Sequence, residues 1–537
     1  MKKAKKIIAV LLTVVLVALI AAAPVSAASK VDPSEGPMQK LESIFYMLLD
    51  KLIYVVGKAL NTFIPGLDWG DSWQNYDDYQ TPADFYQGET AFETEVKSDA
   101  VWSAGYSYGS LLEGLDILGG SFYMAGSLQA IEGKKPTAIV DDQGVSVYAI
   151  SDGVSGTVVQ AVIDGYGIAR ADVLEIRSRL AAFAAENDII SINISVLHQH
   201  SAIDILGLGV PLLPAIIMNP GMSVTGIDKN EFMTGKNKVF MDNLYNVVTS
   251  TITEAVNDME EGALYYGSAD VGDLMYDKRK PVVFDEEIHR FRFDPADESS
   301  EEIWICEAGI HCTGADSDKV SADYPYYFKE YIKETTGADV VFVQGAELAI
   351  TAERENVPET EGNHEVKDYG IELAKRVVAI DNDEKLDPVL NITFREVPIT
   401  ADNQILTLAV RLGIVDSLIT KGGTDYTLIT ELGYMELGNK IGVVLVPGEI
   451  APEILWGGVV SKEESWTNES WDFAPMEETA GVDKLLCFGL NNDQIGYILP
   501  DNDVRSLLTE NEEISASSTK SGSDITRVFE ELIASVK

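Results

Sequence analysis

Two histidines separated by one residue are the feature of this sequence that most directly suggests chemistry. His198 and His200 end a segment, 188–197, that alternates apolar and polar side chains and is rich in β-branched residues, which predicts a half-buried strand. On a strand, residues i and i+2 project to the same face, so both imidazoles would face one site. Because the chain has 5 histidines in all, the pair favours a metal or acid–base site. The alternative is a pair of surface histidines at a strand end.

Other potential ligands also follow predicted strands. The residues at or just after such strand ends are His311, Gln344, Gly345, Glu449 and Tyr497. Functional groups gathered at strand ends are typical of α/β enzymes. A zinc ion accepts two imidazoles and a carboxylate and keeps an open position for water. Bound zinc lowers the pKa of that water to about 7 and polarises a carbonyl, which is chemistry for hydrolysing an amide or ester.

Strands and helices alternate along the chain from about residue 101. Helices are predicted at 169–185, 243–260, 324–334, 369–378 and 524–536, and strands include 389–396, 404–411 and 440–446. This alternation predicts an α/β fold, a large mixed sheet with flanking helices. No Pro-rich or Ser-rich linker interrupts 101–537, which we therefore interpret as one large domain.

The N-terminus has the features of an export signal. Lysines precede an apolar run at 7–23, and Val25-Ser26-Ala27 is a small-x-small cleavage site, so residues 1–27 are predicted to be a signal peptide. An uncleaved anchor is the alternative, because the run is at the short limit for crossing a membrane. Either way, the protein is expected to be extracytoplasmic, secreted or held at the cell surface.

Composition narrows the classes of partner. The formal net charge is −46, and removing residues 1–27, with four lysines and no acids, leaves 36 basic against 86 acidic residues, or −50. This charge argues against binding nucleic acid or docking on an anionic lipid surface. The cysteines are too few for a disulfide scaffold, although Cys306 and Cys312 could pair and leave Cys487 free.

An amphipathic helix is predicted at 41–63, ahead of the globular pattern. Its apolar residues follow the 3.6-residue period, and Pro65-Gly66 ends it. The helix could make peripheral contact with a membrane, but its polar face is not rich in lysine or arginine, and packing on the main domain is favoured. Residues 28–100 therefore comprise this helix and a polar, aromatic connection.

Four short motifs occur in order between about residue 101 and the C-terminus. They are His198-Gln-His200-Ser201, then Glu307-Ala-Gly-Ile-His311 with Ser321-Ala-Asp-Tyr-Pro325, then Val446-Pro-Gly-Glu449, and finally Asn492-Asp-Gln-Ile-Gly-Tyr497. In this order they resemble motifs of the neutral/alkaline, non-lysosomal ceramidases, zinc amidases that split ceramide into sphingosine and fatty acid. The family versions are His-Thr-His-Ser-Gly-Pro, a second histidine segment, Pro-Gly-Glu and Asn-Asp-x-x-Gly-Tyr. Each motif alone is weak, whereas four in order are specific.

The resemblance implies a fold, a metal and residue roles. The fold would be like the ceramidase catalytic domain, without the C-terminal β-sandwich, because the motif-bearing segments reach close to the end of the chain. The zinc ligands would be His198, His311, Glu449 and Tyr497. His200 would then face the substrate. Arg279 would contact the substrate, with Lys278 as the alternative counterpart and a surface cation as the alternative role.

One segment departs from the family pattern. After the strand at 340–344 the family has a Gly-Asp-x-Ser-Pro turn with an essential serine, whereas this chain reads Gly345-Ala-Glu-Leu-Ala-Ile-Thr351. Thr351 lies near the serine position and keeps a hydroxyl, but its methyl group stiffens χ1. The family's glycine, three residues before its serine, is missing here, and its loss would reshape a turn that needs a positive φ. Ala202-Ile203 likewise replaces the Gly-Pro that follows the first histidine motif.

The sequence therefore favours an exported, zinc-dependent, ceramidase-like amidohydrolase. It would cleave the amide bond of ceramide or a related N-acyl lipid through a metal-activated water, with Thr351, His200 and Arg279 in catalytic roles. One alternative is a non-catalytic metal- or ligand-binding surface protein that keeps the fold. Another is an esterase or amidase that acts on a different substrate.

Overall fold

The computed structural model describes most of the chain from residue 74 onward. The described ranges are 74–82, 85–126, 133–210, 232–233, 235–357, 365–411, 415–422, 425–504 and 515–537. The predicted signal peptide at 1–27 and the predicted helix at 41–63 lie outside them. Among the helices within these ranges, none combines the length and the apolar character needed to cross a membrane.

Short and long strands outnumber the helices in these ranges. The strands are β1 Gln74–Asn75, β2 Trp102–Ser110, β3 Ala138–Ile139, β4 Gly144–Ser151, β5 Thr157–Ile163, β6 Ile189–Val196, β7 Phe232–Met233, β8 Lys236–Asn237, β9 Glu260–Asp270, β10 Met275–Asp277, β11 Glu287–Pro295, β12 Ile303–Ala308, β13 Lys319–Val320, β14 Asp339–Gln344, β15 Ile350–Ala352, β16 Glu384–Leu386, β17 Leu390–Thr400, β18 Ile419–Gly422, β19 Asp425–Leu437, β20 Ile441–Leu445, β21 Glu449–Ile450, β22 Lys484–Phe488 and β23 Tyr497–Ile498. The helices are α1 Arg170–Glu186, α2 Lys238–Asn257, α3 Asp323–Thr336, α4 Glu365–Val378, α5 Gln404–Arg411, α6 Pro452–Trp456, α7 Met476–Ala480 and α8 Ser521–Val536.

Two mixed sheets contain the long strands of the described ranges. The larger sheet has nine strands in the order β14-β12-β11-β9-β2-β4-β5-β6, with β16 beside β9. Its neighbours are mostly antiparallel, but β12 runs parallel to β14 and β5 runs parallel to β6. The smaller sheet has six strands in the order β1-β18-β19-β20-β22, with β17 beside β19.

A shared hydrophobic core joins the two sheets. It contains Phe291 and Phe342 from the larger sheet and Phe394 and Phe488 from the smaller one, all fully buried. Helices cover other faces: α1 and α2 pack on the β2, β4 and β6 side, α3 and α4 on β14 and β9, and α8 on β17. Burying apolar faces against one another in this way is the main stabilising term of such a layered fold.

The structure confirms the α/β prediction of a large mixed sheet with flanking helices, and it corrects two details. Residues 404–411, predicted as a strand, form helix α5. A short apolar run is compatible with a strand or a helix. Here Asn403 favours the helix, because its side-chain oxygen accepts from the Leu406 N–H at 3.3 Å, as in an N-cap. The predicted pair of Cys306 and Cys312 is also wrong, since both thiols, like Cys487, are free and buried.

The strand that leads to the histidine pair is buried on both faces, not half-buried as predicted. Its polar side chains bond other buried groups instead of water, and Asn193 contacts the 491–492 loop. Ile194 N–H donates to the Asn492 side chain at 2.9 Å, and that amide donates to Asn193 Oδ1 at 3.0 Å. Polar side chains can be buried in this way because each finds a hydrogen-bond partner.

A buried ion-pair network anchors α1 to the smaller sheet. Arg177 Nη2 lies 2.7 Å from Glu431 Oε1, and Arg170 Nε lies 3.5 Å from Glu431 Oε2. Burial alone would raise the pKa of Glu431, but the two guanidinium groups outweigh it and lower that pKa. The N-terminus of the same helix reaches the motif loop, because Arg170 N–H donates to Asp493 Oδ1 at 3.1 Å.

Replacing Glu431 with glutamine is expected to lower the free energy of unfolding by about 2–3 kcal/mol, because Arg177 loses its carboxylate and the buried Arg170 keeps only Glu396. The control Glu175→Gln, which breaks the exposed pair with Arg179 on the same helix, should cost less than about 1 kcal/mol. Urea unfolding measures both. The folded-state pKa is depressed, so the Glu431 contribution should be present above about pH 4.3 and fade as pH falls through the folded-state pKa. Equal losses in the two variants would contradict this role.

Candidate metal centre

His198 is held at the end of β6 by its backbone and by one hydrogen bond. A φ of +55° turns the chain out of the extended conformation at this residue. Nδ1 lies 2.7 Å from the carbonyl oxygen of Tyr166, and because a carbonyl only accepts, Nδ1 carries the proton. The Tyr166 ring stacks on the imidazole with centroids 4.4 Å apart. His198 is 1% exposed, and its Nε2 faces Glu449 Oε1 at 3.4 Å.

His200 is fixed in the same way. Nδ1–H donates to the carbonyl oxygen of Gly126 at 3.1 Å. Nε2 is buried and has no hydrogen-bond partner. The backbone of Gly126, with φ +86°, approaches so closely that a Cβ there would lie 2.8 Å from His200, so this position requires glycine. The rings of His198 and His200 meet edge to face with centroids 4.9 Å apart.

His311 follows β12 and completes a group of three imidazoles. Its backbone N–H donates to Ile350 O at 3.0 Å. Its Nδ1 lies 2.9 Å from the carbonyl oxygen of Glu347 and 3.1 Å from that of Ile350. Its Nε2 lies 3.1 Å from Glu449 Oε2. The Nδ1 contacts place the proton on that nitrogen in the neutral ring.

The three histidines therefore direct their Nε2 atoms into one space. The ligand atoms of His198, His200 and His311 lie within 4.8 Å of one another, and so do those of His198, His311, Glu347 and Glu449. Imidazole rings whose Nδ1–H groups are held by carbonyl oxygens are the usual arrangement around a bound metal, because the second hydrogen bond fixes the tautomer and the orientation.

Glu449 enters this space from the smaller sheet, just after β20. Gln494 donates from Nε2 to Glu449 Oε1 at 3.2 Å, whereas Oε2 has no hydrogen-bond partner. Neutral His311 presents only an unprotonated Nε2 to that oxygen. Two acceptors 3.1 Å apart in a buried site require a proton or a cation between them. Imidazoles, a carboxylate and no thiolate fit zinc in a catalytic type of site.

The electrostatics of the site fit the same conclusion. Burial and the neighbouring imidazoles lower the pKa of His200 to about 3 and hold the pKa of His198 well below its usual value, so both rings are neutral and able to bind a metal. Burial would also lower the pKa of His311, but the Glu347 and Glu449 carboxylates outweigh it and raise that pKa to about 9. Without a cation, a proton on His311 thus relieves the negative charge.

Tyr497 and Thr351, two further predicted site residues, lie on short strands beside the ligands. Tyr497 in β23 pairs directly with Glu449 in β21, which places it next to the carboxylate. Thr351 in β15 forms a bridge with His311 and pairs with the exposed Tyr276 of β10, whereas its neighbour Ile350 is buried. The register therefore puts the Thr351 side chain on the outward face of β15. Their roles as ligand and catalytic hydroxyl stay predictions.

The turn before Thr351 keeps an unusual backbone although glycine is missing. Ala349 adopts φ +66°, a conformation that costs a residue with a Cβ about 1–2 kcal/mol. Lys278 N–H donates to Ala349 O at 3.1 Å and thereby supports the turn. This turn therefore adopts a left-handed conformation at a residue that is not glycine.

Arg279 is held by carboxylates. Its guanidinium binds two buried carboxylates, with Nη1 2.5 Å from Glu453 Oε1 and Nη2 in contact with Asp503. Glu453 lies in α6, directly after the strand that carries Glu449. Substrate contact by Arg279 stays a prediction, and the structure adds a positioning contact that the sequence did not reveal.

Three residues of the site escaped the sequence prediction, namely Tyr166, Glu347 and Gln494. Tyr166 and Glu347 each follow a strand, β5 and β14, so the strand-end rule that found the histidines also covers them. Gln494 lies inside a recognised motif but at one of its variable positions. Only long-range contacts, absent from a single sequence, distinguish these residues from ordinary loop residues.

Comparison with known proteins supports the fold. No family model matches the sequence, and no curated protein is significantly similar to it. Among solved structures, the chain is similar to the neutral ceramidase from Pseudomonas aeruginosa, with a TM-score of 0.57 and 14% identity over 81% of this chain and 74% of that chain. A ceramidase complexed with C2 gives a TM-score of 0.57 and 13% identity over 81% of this chain and 75% of that chain. At such low identity, the likeness shows a ceramidase-like fold.

Purified protein is expected to contain about one zinc ion per chain, measured by inductively coupled plasma mass spectrometry after dialysis. His311→Ala removes one inward-facing Nε2 and should reduce zinc to background. His289→Gln is the matched control, because His289 bonds Tyr266 and Asp285 and belongs to a separate group with Asp285 and Glu287. Its loss should therefore leave the zinc at His311 in place. Zinc retained in His311→Ala, or lost equally in His289→Gln, would contradict the site.

Proposed function

We propose that this protein is a zinc-dependent hydrolase that cleaves the amide bond of ceramide or a related N-acyl lipid. The observation that carries the proposal is the pair of imidazole nitrogens that face the buried Glu449 carboxylate: His311 Nε2 lies 3.1 Å from Oε2, which has no hydrogen-bond partner, and His198 Nε2 lies 3.4 Å from Oε1. The ordered motifs and the ceramidase-like fold support the substrate class.

Each residue has a distinct task in this proposal. His198, His311 and Glu449 would hold the metal, with Tyr497 as the fourth ligand. When bound, zinc supplies a Lewis acid that polarises a carbonyl and lowers the pKa of a water to about 7. His200, whose Nε2 has no partner in the protein, would hold the substrate or carry a proton to the leaving amine.

Thr351 and Arg279 would act on the substrate side. The outward-facing hydroxyl of Thr351, adjacent to His311, would hydrogen-bond the substrate near its carbonyl group. Glu453, which pairs with Arg279, also lines an open cavity of about 300 Å³ that mixes the aromatic Trp471 and Phe473 with charged and hydroxyl side chains. The two aromatic side chains would offer apolar surface to part of a lipid.

A non-catalytic binding protein is the second candidate, and one observation favours it. The Arg279 guanidinium is engaged by Glu453 and Asp503, which competes with contact to a substrate. In that case the chain would keep the fold and the metal without turnover.

We also propose export of the protein. This rests on the signal-peptide pattern at 1–27, and it would place residues 101–537 as a catalytic domain outside the cytoplasm, in solution or at the cell surface. The amphipathic pattern at 41–63 would allow peripheral contact with the membrane that holds the lipid substrate.

Wild-type protein should hydrolyse a fluorescent short-chain ceramide, and a zinc chelator should abolish the activity. Thr351→Val replaces the hydroxyl with a methyl group of similar size, so kcat should fall about 100-fold, the typical cost of losing one donor near the reacting carbonyl. Thr351→Ser keeps the hydroxyl and should retain activity. Zinc-loaded protein without cleavage would favour the binding protein, and an unchanged kcat in Thr351→Val would remove the role of this residue.

A further inference from the structure

A second carboxylate lies at the metal centre without an assigned role. Glu347 is fully buried, 0% exposed, in the turn between β14 and β15 that departs from the family pattern. Oε2 accepts from the Gln344 side-chain amide, while Oε1 is buried and has no hydrogen-bond partner. A buried carboxylate with one unsatisfied oxygen is costly unless a positive charge lies nearby.

Glu347 and Glu449 lie on opposite sides of the same imidazole. Glu347 Oε2 is 3.7 Å from His311 Nδ1, and its own carbonyl oxygen accepts from that nitrogen at 2.9 Å. Glu449 Oε2 is 3.1 Å from Nε2 of the same ring. Nδ1 is the nitrogen turned away from Glu449, and the carbonyl oxygens of Glu347 and Ile350 accept from it. The Glu347 carboxylate, at 3.7 Å, is too far for a hydrogen bond and acts on the ring through its charge.

Glu347 would also change the net charge of a metal-loaded site. Glu449 alone would leave one net positive charge when a divalent cation binds to neutral histidines. Glu347 brings a second negative charge within 4.8 Å of the ligand atoms of His198, His311 and Glu449. Two carboxylates and one divalent cation make the buried group neutral, the least costly state in an apolar interior.

We propose that Glu347 is a positioning residue of the metal centre: its backbone carbonyl orients His311 from the Nδ1 side, and its carboxylate balances the charge of the bound cation. This inference rests on the metal centre of the proposed function and is independent of which amide is cleaved. Carboxylates behind metal-binding histidines usually change metal affinity by about 10–100-fold.

Glu347→Gln tests the role while keeping the size of the side chain. The dissociation constant for zinc, measured by competition with a chromophoric chelator, should rise about 10–100-fold. The matched control is Glu307→Gln. Glu307, in β12, is also a buried carboxyl, 4% exposed. It lies against Gly345, in the turn that carries Glu347, but among the described ion pairs it has none with the three histidines. The dissociation constant of the Glu307→Gln protein for zinc should stay within about twofold of the wild-type value.

Two readouts separate positioning from a purely structural role. The metal-free Glu347→Gln protein should unfold at the same temperature as metal-free wild type or higher, because a buried charge has been removed. The cobalt-loaded variant at saturating metal should keep the visible absorption bands of cobalt-loaded wild type, because the ligands are unchanged. A lower midpoint of metal-free Glu347→Gln with unchanged zinc affinity, or altered cobalt bands that reveal a lost ligand, would overturn the proposal.

Failure of the proposed function and failure of the Glu347 inference would give different results. If wild type binds neither zinc nor cobalt, the proposed function and this inference fall together. If wild type and Glu347→Gln bind zinc equally, only the inference falls, and the metal centre stands without it.

Discussion

Three backbone carbonyl groups determine what this site can do. The oxygens of Tyr166, Gly126 and Glu347 each accept from an imidazole Nδ1, which leaves the three Nε2 atoms as acceptors in a space that also contains a carboxylate. Acceptors crowded together in a buried space repel one another, so the arrangement is stable only with positive charge inside it. A proton on His311 would supply that charge in the metal-free protein, and the proposed metal ion would supply it when bound.

The fold supplies these contacts by joining two sheets. His198 and His311 follow strands of the larger sheet, whereas Glu449 follows β20 of the smaller one, so the ligands meet only if the sheets pack in one register. A chain of contacts maintains it: Arg170 of α1 bonds Asp493, and the adjacent Gln494 bonds Glu449. The buried ion pairs of α1 therefore support the candidate metal centre as well as the fold, since sites of this kind tolerate only about 0.5 Å of displacement.

Much of this was predictable from local patterns, and the rest depended on distant contacts. His198, His200, His311 and Glu449 could be found because they follow strands, and strand ends meet in an α/β fold. Glu347 follows a strand too, but nothing local distinguishes it from other acids in a chain with 86 of them. The burial of both faces of β6 depends on Asn492, some 300 residues away, and helix α5 depends on the cap by Asn403. Short apolar runs and polar strand faces are ambiguous for this reason.

The central claim is that histidine nitrogens and carboxylate oxygens bind a zinc ion. Zinc-edge X-ray absorption of the purified protein tests it most directly. We expect a first shell of nitrogen and oxygen at about 2.0–2.1 Å, scattering from at least two imidazole rings and no sulfur. A sulfur shell near 2.3 Å, or a shell without imidazole, would contradict the account and leave the three buried histidines without a metal to hold.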